Sequence, residues 1–64
     1  MGVKYRVCQD LNDNIKCYGH FTGKNATEAV KKAINAHKET TDFDFSIPFN
    51  VKRGRYDYVV NIEE

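Results

Sequence analysis

The sequence has no tryptophan and only one serine, one proline, one methionine and two histidines in 64 residues. Its four glycines, Gly2, Gly19, Gly23 and Gly54, stand singly, so no glycine-rich phosphate loop is written. Ser46 lies beside Pro48, while His20 and His37 fall in different segments, which leaves no nucleophile and base side by side. Asp42 and Asp44 have a spacing that points both outward at the start of a strand, but they read as solvated acids at a loop exit. The expectation is a protein without catalysis and without a cofactor.

Charge of one sign is lacking too. Ten Lys and Arg against nine Asp and Glu leave +1, which argues against wholesale coating of nucleic acid. No apolar run approaches the ~20 residues of a membrane span. No charged-then-apolar leader opens the chain. Met1-Gly2 suits N-myristoylation, yet Arg6 stands where Ser or Thr is needed. Asn25-Ala26-Thr27 is a glycosylation sequon with no secretory signal to serve it. The expected address is the cytoplasm, with no membrane partner.

What is present is patterned. Phe43, Phe45, Ile47, Phe49 and Val51 alternate with polar residues. After Arg53-Gly54, Tyr56, Tyr58, Val60 and Ile62 do the same. Period-2 spacing marks a strand with one buried face, and two such runs about a short turn predict a hairpin over 43–51 and 56–62. Pairing Val51 with Tyr56 sets Phe49 opposite Tyr58. A four-residue loop, Lys52 to Arg55, then turns the Pro48 nitrogen outward. Val3, Tyr5 and Val7, then Ile15, Cys17, Gly19 and Phe21, predict earlier strands over 3–9 and 15–21. Matching their apolar faces pairs Tyr5 with Phe21 and Gln9 with Cys17, across a three-residue loop with Asn14 left-handed. A two-residue Asn12-Asp13 loop would bury Tyr18 and His20 instead of Ile15 and Phe21, and is disfavoured.

Between the hairpins the period changes. Ala26, Ala29, Val30, Ala33, Ile34 and His37 form one helical stripe, predicting a helix over 26–39. Asn25 is placed to cap it, with Glu28 three residues on, and Glu28 and Lys32 sit four apart on the outer face. One helix and four strands, each with one apolar face, must cover each other. The expectation is a single α+β domain over residues 1–64, a two-layer ββαββ sandwich. Its stability should be small, roughly 3–5 kcal/mol. Strand orders 2-1-4-3 and 1-2-3-4 are both open. Pro48 belongs on an edge strand and Val59, apolar on the solvent side, suits a central one, which favours 2-1-4-3.

Element order and size then resemble the β-grasp arrangement of the immunoglobulin-binding domains of streptococcal protein G. The helix Asn25-Ala26-Thr27-Glu28-Ala29 is similar to helices of HicB-type antitoxins. Neither resemblance supplies a diagnostic motif, and fold analogy says little about function.

Strand parity places Cys17 and His37 inward, and Cys8 and His20 outward. Two free thiols are expected, with Cys8 the reactive one, and the four side chains are not expected to converge on a metal ion. The open sheet face is expected to carry Lys4, Arg6, Lys16, Tyr18 and His20. Strand directions send Asp10, Asp13, Glu39, Asp42, Asp44, Glu63 and Glu64 to one end of the molecule. Lys4, Lys24, Lys52, Arg53 and Arg55 go to the other, where the helix N-terminus also points. The expected binding surface is Lys24, Lys52, Arg53 and Arg55, flanked by Arg6 and Tyr18. Its expected partner is a protein, the chain acting as inhibitor, adaptor or accessory factor, of the kind phages and mobile elements encode. The alternative is a nucleic-acid-binding module or antitoxin-like regulator. A monomer is expected, or a weak dimer through the free edge of the second strand.

Overall fold

The computed structural model describes residues 2–62. It is an α+β structure with the expected element order: β1 (Val3–Leu11), β2 (Asn14–Gly23), α1 (Ala26–His37), β3 (Phe49–Arg53) and β4 (Tyr56–Val60). One helix packs on one face of a four-stranded open sheet, crossing chiefly β2. No helix among the described residues is long and apolar enough to cross a membrane.

The strand order is β2-β1-β3-β4, not 2-1-4-3. All three pairings are antiparallel, so the terminal strands never meet. The argument from Pro48 fails because Pro48 precedes β3 and its missing N–H never enters the ladder. β3 is instead a central strand, with Phe49 and Val51 fully buried. β4 is an edge, and Val59, 67% exposed, is simply apolar on the open face.

Residues 43–48, expected as the first half of β3, form a turn-containing loop. The Asp44 carboxylate accepts from the Ser46 backbone N–H at 3.0 Å and from its hydroxyl at 2.5 Å. Ile47 N–H donates to the Asp44 carbonyl. An Asp bonding the main chain two residues on offers the backbone a turn in place of a ladder. The alternation still works: Phe43, Phe45 and Ile47 are half-buried while Asp42, Asp44 and Ser46 are exposed.

Both hairpins form at a changed register, and only the second keeps its expected faces throughout. Arg53 pairs with Tyr56, so Val51 lies opposite Tyr58 and Phe49 opposite Val60, a slip of two residues. A two-residue slip preserves side-chain parity. The turn is Gly54-Arg55, with Gly54 at φ 59°, matching the glycine-first pattern of a tight hairpin turn. In the first hairpin Leu11 pairs with Asn14, which makes the loop the two-residue Asn12-Asp13. Asn14 is not left-handed; among the described residues only glycines have positive φ.

The disfavoured loop is compatible with Phe21 facing inward because β2 contains a bulge. Cys8 lies opposite Cys17 and Val7 opposite Gly19, leaving Tyr18 as the extra residue. Gly19, at φ 116°, takes the backbone conformation that other residues resist. Beyond the bulge Tyr5 pairs with Phe21, as expected. Tyr18 turns inward and is buried, whereas Ile15 and Cys17 turn outward and are exposed. Cys8 and Cys17 are therefore same-face neighbours and form a disulfide, correcting the expectation of free thiols on opposite faces.

The core lies between sheet and helix: Tyr5, Val7, Tyr18, Phe49, Val51 and Val60 meet Ala29, Val30 and Ala33. Alanines on the helix stripe allow this close approach. The cap is as expected, with Glu28 N–H donating to Asn25 Oδ1 at 2.8 Å. Glu28 also reaches Lys32, at 4.0 Å. His37 ends the helix half-buried, its Nε2–H donating to the Tyr18 carbonyl at 2.9 Å. That bond occupies an acceptor on the bulged residue.

Candidate functional site

The sheet face away from the helix is built from alternate residues of all four strands. Across it run two adjacent rows. One is His20, Arg6, Lys52 and Asp57; the other is Cys17, Cys8, Asn50 and Val59. Like charges directly opposite each other in a sheet are destabilising. Arg6 nevertheless faces Lys52 on one side and His20 on the other. Among the described residues the one ion pair within 4.0 Å is Lys32–Glu28 on the helix, so Arg6 and Lys52 have no carboxylate that close.

Lys4, Arg6, His20, Lys52 and Gly54 line a shallow hollow of about 260 Å³ with no acid among them. It opens beside a larger groove of about 470 Å³. The Cys8–Cys17 disulfide lines the groove together with Ile15 and Val59, and Arg6 and Lys52 line both depressions. Ile15 is 69% exposed, so the face offers apolar area next to positive charge. Asp10 and Asp57 bring negative charge to the groove's lining.

Strand directions are as expected, so the basic residues share one end of the molecule, but they do not share one face. Arg6 and Lys52 come together on the open face. Arg53, one residue on, projects to the helix side opposite Tyr56, and Arg55 sits in the turn. Lys24 lies exposed just before α1, its N–H bonded to Glu28 Oε1 at 3.4 Å. Tyr18 leaves the surface altogether. It packs beneath the sheet, its ring centroid 5.2 Å from Phe43 and 5.6 Å from His37. Lys16 also leaves the open face but stays exposed, its Nζ 5.6 Å from the Tyr18 centroid. Of the expected acidic end, Glu63 and Glu64 lie outside the described residues.

The most consequential polar residue carried no sequence signal beyond its inward parity. Gln9 is 1% exposed. Its Nε2 donates to the carbonyls of Asp44 at 2.8 Å and Ile47 at 3.0 Å, and its Oε1 accepts from the Tyr18 hydroxyl at 2.7 Å. It pins the 43–48 loop over the end of the core. Burial raises the Tyr18 pKa, and the bonds from Ser46, its hydroxyl foremost, lower that of Asp44.

Of the four thiols and imidazoles, Cys8 and Cys17 are consumed by each other and His37 by Tyr18. Among the described residues no group of three metal-ligating side chains gathers. No protein-family model, curated protein or solved structure matches the chain.

Proposed function

We propose that this is a small binding protein that acts by docking on another protein, presenting the basic half of its open sheet face to an acidic surface. The observation that carries the reading is Arg6 set between His20 and Lys52. The Arg6–Lys52 opposition weakens the free domain, although Asp57 lies across from Lys52 on the other side, and a partner's carboxylates in the adjoining hollow would offset the repulsion. Ile15 and Val59 supply apolar area to bury alongside it. Arg53, Arg55 and Lys24 extend the field around the same end and steer the encounter. Inhibitor, adaptor and accessory-factor roles all fall within this class, in the cytoplasm, with the domain acting as a monomer. The nucleic-acid reading is disfavoured because Tyr18, the ring it would use for base stacking, is buried on the helix side.

The test uses backbone-amide NMR at low ionic strength with three probes: a peptide of alternating Glu and Leu, its Lys-and-Leu counterpart, and a single-stranded oligonucleotide. The Glu peptide should shift the amides of Arg6, Cys8, His20, Lys52 and Val59, and the Lys peptide should not. Stronger shifts with the oligonucleotide, or shifts confined to α1, would overturn the assignment.

A further inference from the structure

The Cys8–Cys17 disulfide joins directly opposed residues of a hairpin already closed by its two-residue turn. A crosslink stabilises chiefly by removing loop-closure entropy from the unfolded chain, and that gain is smallest for short loops. Only nine positions separate these cysteines. The core of the domain lies on the opposite side of the sheet. Exposed disulfides are the labile, regulatory or catalytic ones, whereas structural ones are protected.

The two sulfurs are not equivalent. Cys17 is exposed and Cys8 is 9% exposed. One guanidinium nitrogen of Arg6 lies 3.6 Å from Cys17 Sγ. A cation at that distance favours the thiolate once the bond is open. The other charged side chains around the groove are Lys52 from β3, Asp57 from β4 and Asp10 from β1, with His20 next along β2 beyond the bulge. Arg6 and Lys52 also line the basic hollow, so the sulfurs sit at the end of a cationic track.

We propose that Cys8 and Cys17 form a thiol–disulfide exchange site for anionic thiols and disulfides, with Cys17 the exchanging sulfur, Cys8 the resolving one and Arg6 the group that holds the Cys17 thiolate. From the oxidised state, an incoming R–S⁻ attacks Cys17 Sγ. The Cys8–Cys17 bond breaks, and Cys8 leaves with the electron pair as a thiolate. A second R–S⁻ attacks the R sulfur of the mixed disulfide, releasing Cys17 as a thiolate and R–S–S–R. The cysteine pair gains two electrons and the two thiols lose two. The reverse sequence oxidises the pair at the expense of R–S–S–R. Carboxylates on R lie in the hollow of Lys4, Arg6, His20 and Lys52. Such chemistry accords with a cytoplasmic address, where disulfides are characteristically transient and catalytic or sensing.

The test needs no docking partner and so stands apart from the binding proposal. Reduced wild-type protein should keep a cooperative thermal transition; loss of the fold on reduction would make the disulfide structural and overturn the idea. In Cys8→Ser, the pH midpoint for alkylation of Cys17 should lie below the ~8.5 of a free thiol. Adding Arg6→Gln should return it toward that value. A midpoint that Arg6→Gln leaves unmoved would overturn the role of Arg6. Cys8→Ser should also accumulate a mixed disulfide with glutathione disulfide about tenfold faster than with cationic cystamine at low salt, as electrostatic steering allows. Equal rates would overturn the anionic class.

Discussion

The Tyr18 hydroxyl donates a 2.7 Å hydrogen bond to Oε1 of Gln9, and both side chains are buried. Gln9 then spends both Nε2 hydrogens on carbonyls of the 43–48 loop. Three pieces of chain distant in sequence are joined by one amide. Among the described residues no buried side-chain nitrogen or oxygen lacks a partner. A fully satisfied polar group of this kind specifies an arrangement, and a half-satisfied one destabilises it.

Gln9→Ala therefore strands the Tyr18 hydroxyl and the Ile47 carbonyl and leaves the Asp44 carbonyl only its bond from Ile47 N–H. Leaving buried groups unpaired costs roughly 1–3 kcal/mol each, and water reaching the loop reduces the total. The expected loss is at least about 2 kcal/mol, measured by denaturant titration, with faster amide exchange in residues 43–48. A variant as stable as wild type would show that the loop is held by Phe43 and Phe45 alone.

Phe49 has no exposed surface and contacts Tyr18 and Phe43, with ring centroids 6.1 and 6.2 Å away. Phe49→Ala should cost roughly 3–5 kcal/mol. That is comparable with the whole stability of a domain this small, so the variant should lack a cooperative melt at room temperature. A melt within a few degrees of wild type would contradict a central β3.

The network also titrates. Burial raises the folded-state pKa of Tyr18 above its unfolded value. Its contribution is complete below about pH 10, the usual tyrosine value, and is lost as pH rises through the folded value. Stability should fall on the alkaline side, and Tyr18→Phe should flatten that fall while lowering stability at neutral pH. Asp44 behaves oppositely. Its folded pKa is lowered, so its contribution is present above the usual carboxylate range and is lost as pH falls through the folded value. Ser46→Ala should weaken that acid-side dependence, read from melting temperature against pH.

How much of this was legible depends on whether a feature is written in parity or in register. Asn25 with Glu28, and the Ala29, Val30 and Ala33 stripe, are local patterns and were readable directly. Parity gave the inward faces of β1, β3 and β4. Register was not readable, because shifting the second hairpin by two residues leaves every side chain on the same face. The bulge at Tyr18 was hidden for a stronger reason. It changes parity within β2, so one rule applied along the whole strand misplaces Cys17, Ile15 and Tyr18 together. Gly19 was the available signal, since an isolated glycine inside a strand pattern suggests a bulge. Strand order failed because Phe43, Phe45 and Ile47 alternate like a strand while Asp44 bends them into a loop. That carried Pro48 out of the sheet and took the edge-strand argument with it. The basic hollow was half legible: Lys4, Arg6, His20 and Lys52 were each nominated for one end or face, but only pairing of β1 with β3 sets Arg6 against Lys52.

That pairing yields the prediction that best separates function from folding. Arg6 has Lys52 opposite it on β3 and His20 opposite it on β2. If the row exists for structure, replacing Arg6 should weaken the domain. If it exists for docking, Arg6→Glu should replace repulsion by attraction toward Lys52. Cross-strand charge pairs are worth roughly 0.2–1 kcal/mol, so the free domain should gain a few tenths, visible as a higher denaturation midpoint. Binding of the Glu-and-Leu peptide should meanwhile fall at least tenfold at low salt, an effect that added salt would diminish. The variant must be studied in the oxidised state, because Arg6 also contacts Cys17. Arg53→Glu with Arg55→Glu is the companion. Both side chains are exposed and the Arg55 turn is set by Gly54, so the fold should persist. Since Arg53 faces the helix side, this pair should slow association with little change in dissociation. Stability and binding moving in opposite directions at Arg6, and in one direction only at Arg53 and Arg55, would locate the docking surface on the open face. A loss of stability in Arg6→Glu with binding intact would place Arg6 in the scaffold and leave the helix-side basic residues as the surface to pursue.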